Sequence, residues 1–192
     1  MPLHVLAESP TWRVLLEPDE DAPSPLGSDE PFVLVSWSRD VPGTVPTPDD
    51  DPTAWAKRWL KRHSGGLLWP VWAYRHGDIA LRLGDTPFAA GFPDPAWDVG
   101  FVGYGVLTAA TLRREWQNDA NRARAYIEGA LAIYAQWLNG DCWGYRIERR
   151  DDPDEPWTCI DSCFGFYGSD WTTNGMAESW PCDVQRQVAA AS

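Results

Sequence analysis

The sequence predicts an α+β fold in which a mostly antiparallel sheet packs against one long helix and one short amphipathic helix. Short apolar runs bounded by Gly, Pro and Asp recur along the chain as strand signals. Two other stretches repeat their apolar residues at helical spacing. The size is bounded by 192 residues of which 44% are hydrophobic, enough to bury a core and short for two domains with a linker. A single domain over residues 1–192 is expected.

Taken in order, Trp12 to Glu17 reads as a strand, followed by an acidic, Pro/Ser-rich loop over residues 18–31. Phe32 to Trp37 reads as a second strand through its β-branched and aromatic content, and residues 41–52 form a second acidic, Pro-rich loop. Pro52 then precedes a short helix over Thr53 to Arg62, with Trp55, Trp59 and Leu60 on one side and Lys57, Arg58, Lys61 and Arg62 toward its end. Gly65-Gly66 stops it. Leu67 to Arg75 and Asp78 to Leu83 flank His76-Gly77 as a hairpin. Trp97 to Leu107 reads as a loop running into a glycine-punctuated strand. Thr108 caps a long helix whose stripe includes Leu112, Trp116, Ala123, Ile127, Leu131, Tyr134 and Leu138, either continuous or split near Asn118 to Asn121. Asn139-Gly140 ends it. Cys142 to Glu148 and Trp157 to Asp161 form a second hairpin, and the chain from Thr172 onward reads as a polar tail.

Sixteen Lys plus Arg stand against twenty-eight Asp plus Glu, a formal charge of −12. Such a field repels phosphate backbones and favours a partner with a basic surface, so direct nucleic-acid binding is not expected. No stretch has the roughly 18 to 20 uninterrupted apolar residues of a membrane span, and Met1 to Pro10 lacks a basic start and an apolar run, so a cytoplasmic protein without a membrane partner is expected. The thirteen Trp residues are several times what a chain of this length usually carries; most are expected to serve the core, and those left at the surface would be interface anchors.

The residues that could carry chemistry fall short of a catalytic set. Ser162 and Cys163 beside Asp161 and Glu148 would need a histidine base, and His4, His63 and His76 lie in a terminal segment, at a helix end and at a hairpin turn. Cys142, Cys159, Cys163 and Cys182 contain no C-x-x-C pair and are expected as reduced thiols, with no metal and no cofactor. Gly100, Gly103 and Gly105 open no phosphate loop and read as packing devices. The acid clusters Asp49-Asp50-Asp51 and Asp151-Asp152 with Asp154-Glu155 lie in loops beside Pro.

One resemblance emerges from the ordered motifs Trp97-Asp98-Val99-Gly100-Phe101-Val102-Gly103, Tyr134-Ala135-Gln136-Trp137-Leu138-Asn139-Gly140, Trp143-Gly144-Tyr145, and Asp161-Ser162-Cys163-Phe164-Gly165-Phe166-Tyr167-Gly168. This order resembles a family of small proteins encoded by phages and conjugative elements, over about residues 69–170. Cys142-Trp143 stands where that family more often has Val-Tyr, and Phe164 where it more often has Trp. The resemblance brings no catalytic residue. It implies structural roles for Trp97, Asp98, Gly100, Gly103, Gly140, Gly144, Asp161, Ser162, Cys163, Gly165 and Gly168, and an accessory protein of a mobile element.

Three functional readings follow. The leading one is an anti-CRISPR or anti-restriction inhibitor that binds a host defence complex by acidic mimicry of nucleic acid, with Asp49, Asp50, Asp51, Asp151, Asp152, Asp154 and Glu155 as its phosphate-like contacts. The second is a nucleotide- or nucleic-acid-processing enzyme gathering Asp98, Asp161 and Cys163 in one pocket. The third is a non-catalytic interaction module that docks through exposed Trp residues.

Overall fold

A computed structural model describes residues 4–85 and 95–191. In chain order the elements are β1 (His4–Glu8), β2 (Trp12–Pro18), β3 (Val33–Ser36), α1 (Pro52–Arg62), β4 (Leu67–His76), β5 (Asp78–Leu83), α2 (Pro95–Asp98), β6 (Val99–Leu107), α3 (Ala109–Trp116), α4 (Ala120–Leu138), β7 (Cys142–Arg149), β8 (Thr158–Tyr167), α5 (Met176–Ser179) and α6 (Cys182–Ala191). The fold class is α+β with antiparallel pairing in every ladder, arranged as two four-stranded sheets where one was expected. By its internal packing the chain divides into two compact units, Met1–Pro23 with Gly140–Ser192, and Ser24–Asn139.

The unit Ser24–Asn139 holds the sheet β3-β6-β4-β5. One sheet face supplies Leu34, Val71, Ala73, Leu83 and Val102, which share a core with Leu112 and Trp116 of α3 and with Ala123, Ile127, Leu131 and Tyr134 of α4. The spacing of the α4 residues by three or four puts them on one stripe, and each fully buried aliphatic side chain contributes about 1.5–3 kcal/mol of transfer free energy. The long helical pattern is two helices, because Gln117 and Asn118 both take left-handed backbone angles (φ 53° and 69°). Asp119 then restarts the helix by accepting from the backbone N–H groups of Asn121 and Arg122, each at 3.0 Å. Within α4, Gly129 costs about 1 kcal/mol relative to alanine, and a methyl group there would touch nothing within 4 Å. At the far end Asn139 keeps a right-handed backbone and Gly140 alone turns left-handed (φ 69°). The Asn139 side chain clasps β5 instead, accepting from Ile79 N–H at 2.8 Å and donating to its carbonyl at 2.9 Å.

One irregularity sorts the side chains of this sheet. Val71 pairs with Gly103 and Trp72 with Phe101, so Val102 is an extra residue in β6. The bulge sends Val102 into the core while Phe101 and Tyr104, three residues apart, meet on the opposite face with ring centroids 5.2 Å apart. Gly103 makes the close approach to β3 possible, because a Cβ there would lie 1.9 Å from the Val35 carbonyl oxygen.

The other unit is built on the sheet β1-β2-β7-β8. Trp12, Val14 and Leu16 alternate along β2, and Tyr145 and Ile147 alternate along β7, so five side chains of period two line one face. Met176, Trp180 and Val184, spaced by four, complete that core, so the stretch expected as a polar tail forms α5 and α6. On the other face of the sheet Arg13 meets Glu148 at 2.6 Å, and Arg146 bridges Glu148 at 3.6 Å and Glu17. Glu17 and Glu148 are 9% and 7% exposed, so each carboxylate is held in place by a guanidinium that keeps contact with water. Strand β1 was not anticipated, and β8 runs six residues past the expected Asp161 end.

Two outcomes follow for stability. Gly103→Ala should destabilise the protein by at least about 3 kcal/mol, because backbone cannot yield to the new methyl. Gly105→Ala, whose Cβ would meet the movable Leu83 Cδ1 at 3.3 Å, should cost much less, and chemical denaturation compares the two. Burial pushes the Tyr134 and Tyr145 hydroxyls from an ordinary 10.0 up to about 12, with Asp161 adding to the effect at Tyr145. The unfolded chain loses these protons first, so their contribution is intact below pH 10 and declines as pH rises from about 10 to about 12. Stability measured against pH should show that decline, and Tyr134→Phe with Tyr145→Phe should flatten it.

Candidate functional site

The seven acids expected to mimic phosphates fall into two groups, one in each unit. Asp49 is exposed, Asp50 forms an ion pair with Arg58, and Asp51 caps α1 by accepting from Ala54 N–H at 3.0 Å. In the other unit Asp151, Asp152, Asp154 and Glu155 lie on an exposed turn. Asp152 accepts from the N–H of Asp154 and of Glu155, both at 3.0 Å, and Arg150 donates to the carbonyls of Pro153 at 2.6 Å and Pro10 at 2.7 Å. Each cluster therefore carries an arginine, and three of the seven carboxylates already have structural partners: Asp50 in Arg58, Asp51 in the α1 terminus and Asp152 in the Asp154 N–H.

The residues proposed for an enzyme pocket are divided between the two units. Asp98 receives His76 Nδ1 at 3.0 Å in the unit Ser24–Asn139, whereas Asp161 and Cys163 belong to the other unit. Asp161 accepts from the Tyr145 hydroxyl at 3.3 Å, and Cys163 is exposed with its Sγ toward the Phe164 carbonyl at 3.7 Å. Among the described residues no three His, Cys, Asp or Glu side chains come together as a metal-binding group.

The motif residues have identifiable geometric roles. Trp97 stands 89% exposed beside Asp98 at the start of β6. A Cβ on Gly100 would lie 2.9 Å from the Arg75 guanidinium. Gly165 (φ 92°) is the extra residue of a bulge in β8, and Gly168 (φ 88°) turns the chain out of the strand while its N–H donates to the Asp141 carbonyl at 2.8 Å. Phe164 lies over Gly144, where a Cβ would sit 2.2 Å from the ring, and Ser162 faces Arg146 in the ladder. The segment Asp161 to Gly168 runs along β8 and one residue past its end, exposed from Ser162 to Gly165 and buried at Gly168.

What the sequence reading missed is a continuous aromatic strip on the face of the sheet opposite α4. Trp72 meets Phe101 at 5.5 Å between ring centroids, Phe101 meets Tyr104 at 5.2 Å, and Tyr104 stacks on Trp55 of α1 at 6.2 Å. Trp55 continues to Trp59 at 6.4 Å, Trp59 to His63 at 4.5 Å, and Trp37 closes edge-on against Trp55 at 5.6 Å. All seven rings are half-buried. The indole N–H groups of Trp37 and Trp72 donate to the carbonyls of Asp50 and Gly84, each at 3.0 Å, which fixes two rings and satisfies their polar ends. Asp51 lies close enough to help burial raise the Tyr104 hydroxyl above its ordinary value. Further along β4, Arg75 grips Asp40 at 2.5 Å, and this hydrogen bond holds that carboxyl well below the usual carboxylate range. The available signal was the i, i+4 spacing of Trp55 and Trp59 with the Trp count of thirteen.

The chain matches no family model, and no curated protein or solved structure is significantly similar to it. No helix among the described residues is long and apolar enough to cross a membrane.

The close fit of Gly144 under Phe164 predicts a coupled pair. Gly144→Ala should destabilise the protein by about 1–3 kcal/mol by displacing the ring, and the same substitution in a Phe164→Ala background should cost at least about 1 kcal/mol less. A double-mutant cycle by chemical denaturation measures the difference.

Proposed function

We propose that this chain acts by binding another protein through its aromatic strip, as a mobile-element inhibitor of a host defence complex of the CRISPR or restriction type. The observation that carries the reading is the run of half-buried rings from Trp72 to His63, with Asp50 beside Trp37 and Asp51 beside Tyr104. Rigid aromatic area is the usual source of hot-spot affinity. The charge of −12 supports a partner with a basic surface, such as a groove that otherwise holds nucleic acid, and would speed the encounter with it. The motif resemblance to phage and conjugative-element proteins supports the biological setting.

Aromatic anchoring, more than phosphate mimicry, holds the partner. Asp50 and Asp51 are engaged by Arg58 and by the start of α1, so the acids steer and orient while the rings hold. Arginine and lysine side chains of a basic groove suit both, because a cation gains from a ring face and from a carboxylate at its edge.

Expression in bacteria challenged with a phage that their CRISPR or restriction system blocks should raise phage plating. Trp55→Ala with Trp59→Ala should abolish that protection. Neutralising Asp49, Asp50, Asp51, Asp151, Asp152, Asp154 and Glu155 as Asn or Gln should instead weaken binding to the captured complex by about tenfold or more and flatten its salt dependence. Protection that survives loss of both tryptophans would contradict the aromatic reading, and binding with an unchanged salt slope would contradict the electrostatic one.

A further inference from the structure

On the exposed side of α4, the segment around Pro25 and Leu26 leaves an open groove of about 320 Å³. Leu26 anchors that segment in the core, and the Tyr126 hydroxyl ties it to the helix by donating to Glu30 Oε2 at 3.0 Å. From α4 it is lined by Ala125, Tyr126, Gly129, Ala130 and Ile133. Tyr126 and Ile133 are each 43% exposed, and so are apolar walls left facing water.

Gly129 has no conformational reason to be glycine. It lies inside a helix, its φ is not positive, and nothing in the chain occupies the space a side chain would take. Its effect is to leave the groove floor bare down to the helix backbone. Glu30 is the one Asp, Glu, Lys, Arg or His in the lining, and among the described residues no cation pairs with it. A carboxylate with one oxygen on a tyrosine hydroxyl retains acceptor capacity for a cationic donor.

We propose that this groove is a binding site for a small apolar amine, with its hydrocarbon body on Gly129 and Ile133 and its ammonium on Glu30. The volume accommodates roughly ten non-hydrogen atoms at about the 30 Å³ that a water-sized atom occupies. An apolar floor with one placed polar group is the ordinary make-up of a small-molecule site. The site is independent of the aromatic strip, which lies on the opposite face of the sheet.

Phenethylamine, 2-phenylethanol and 3-phenylpropionate test it as cationic, neutral and anionic probes of one shape, in amide NMR titrations of the full chain. The amine should shift the Tyr126, Gly129 and Ile133 signals saturably, with the alcohol weaker and the carboxylate weakest. Glu30→Gln should weaken the amine by about tenfold, the loss of one charge-assisted hydrogen bond. Gly129→Leu should fill the groove and remove the shifts, while Gly129→Ala, more stable than the parent, controls for folding. Equal response to all three probes, no saturation, or amine binding unchanged in both Glu30→Gln and Gly129→Leu would overturn the proposal. If Gly129→Leu does not fold, the Glu30→Gln comparison decides it.

Discussion

Val102 leaves the β4–β6 ladder as a bulge, and the arrangement of the unit Ser24–Asn139 follows from that displacement. A regular strand alternates its side chains, so Phe101 and Tyr104 would point to opposite faces, one ring lost from the strip and one forced toward α4. The extra residue restores both to the face that Trp72 occupies and gives Val102 to the core beside Val71 and Ala73. The bulge in turn depends on Gly103, because β3 passes so close that only a hydrogen fits between the backbones. Backbone proximity, core filling and surface composition are thus set by three consecutive residues. A sheet with an apolar inner face and an aromatic outer face is hydrophobic on both sides, and its outer side is what α1 partly covers with Trp55 and Trp59.

The second unit uses the same device for a different end. Gly165 is the extra residue of a bulge in β8, and Gly144 gives Phe164 the room to lie flat on β7. These glycines account for much of the Asp161 to Gly168 motif without assigning it any chemistry. Bulges also bend the outermost strand, a common way to discourage pairing with other chains at a sheet edge. The face carrying Arg13, Glu17, Arg146 and Glu148 keeps two buried carboxylates tied to arginines, an arrangement that fixes side-chain positions more than it stabilises.

Much of this was readable from local pattern. Strands β2 and β3, the β4–β5 hairpin and helix α1 announce themselves through alternation, a turn glycine and a proline at the helix start. The break between α3 and α4 was less visible because Gln117 and Asn118 adopt positive φ without being glycine, although Asp119 was an available cap. The end of the chain was misread because Met176, Trp180 and Val184 are helically spaced among polar and small residues, so their stripe is narrow. Alternation says which face of a strand is buried and nothing about its partner. The pairing of β2 with β7, with Trp12 opposite Arg149, is a long-range fact that no local window contains. The aromatic strip was invisible for the same reason, since its rings come from β3's end, α1, β4 and β6.

The bulge is therefore the feature on which the fold of this unit and the proposed surface both stand, and side-chain nuclear Overhauser contacts test it most directly. Contacts are expected between the Phe101 and Tyr104 rings and between Phe101 and Trp72, with the Val102 methyls seen only against buried core side chains such as Val71 and Ile127. Contacts of the Val102 methyls with Trp72, together with Phe101 among the side chains of α4, would show a regular ladder and contradict it.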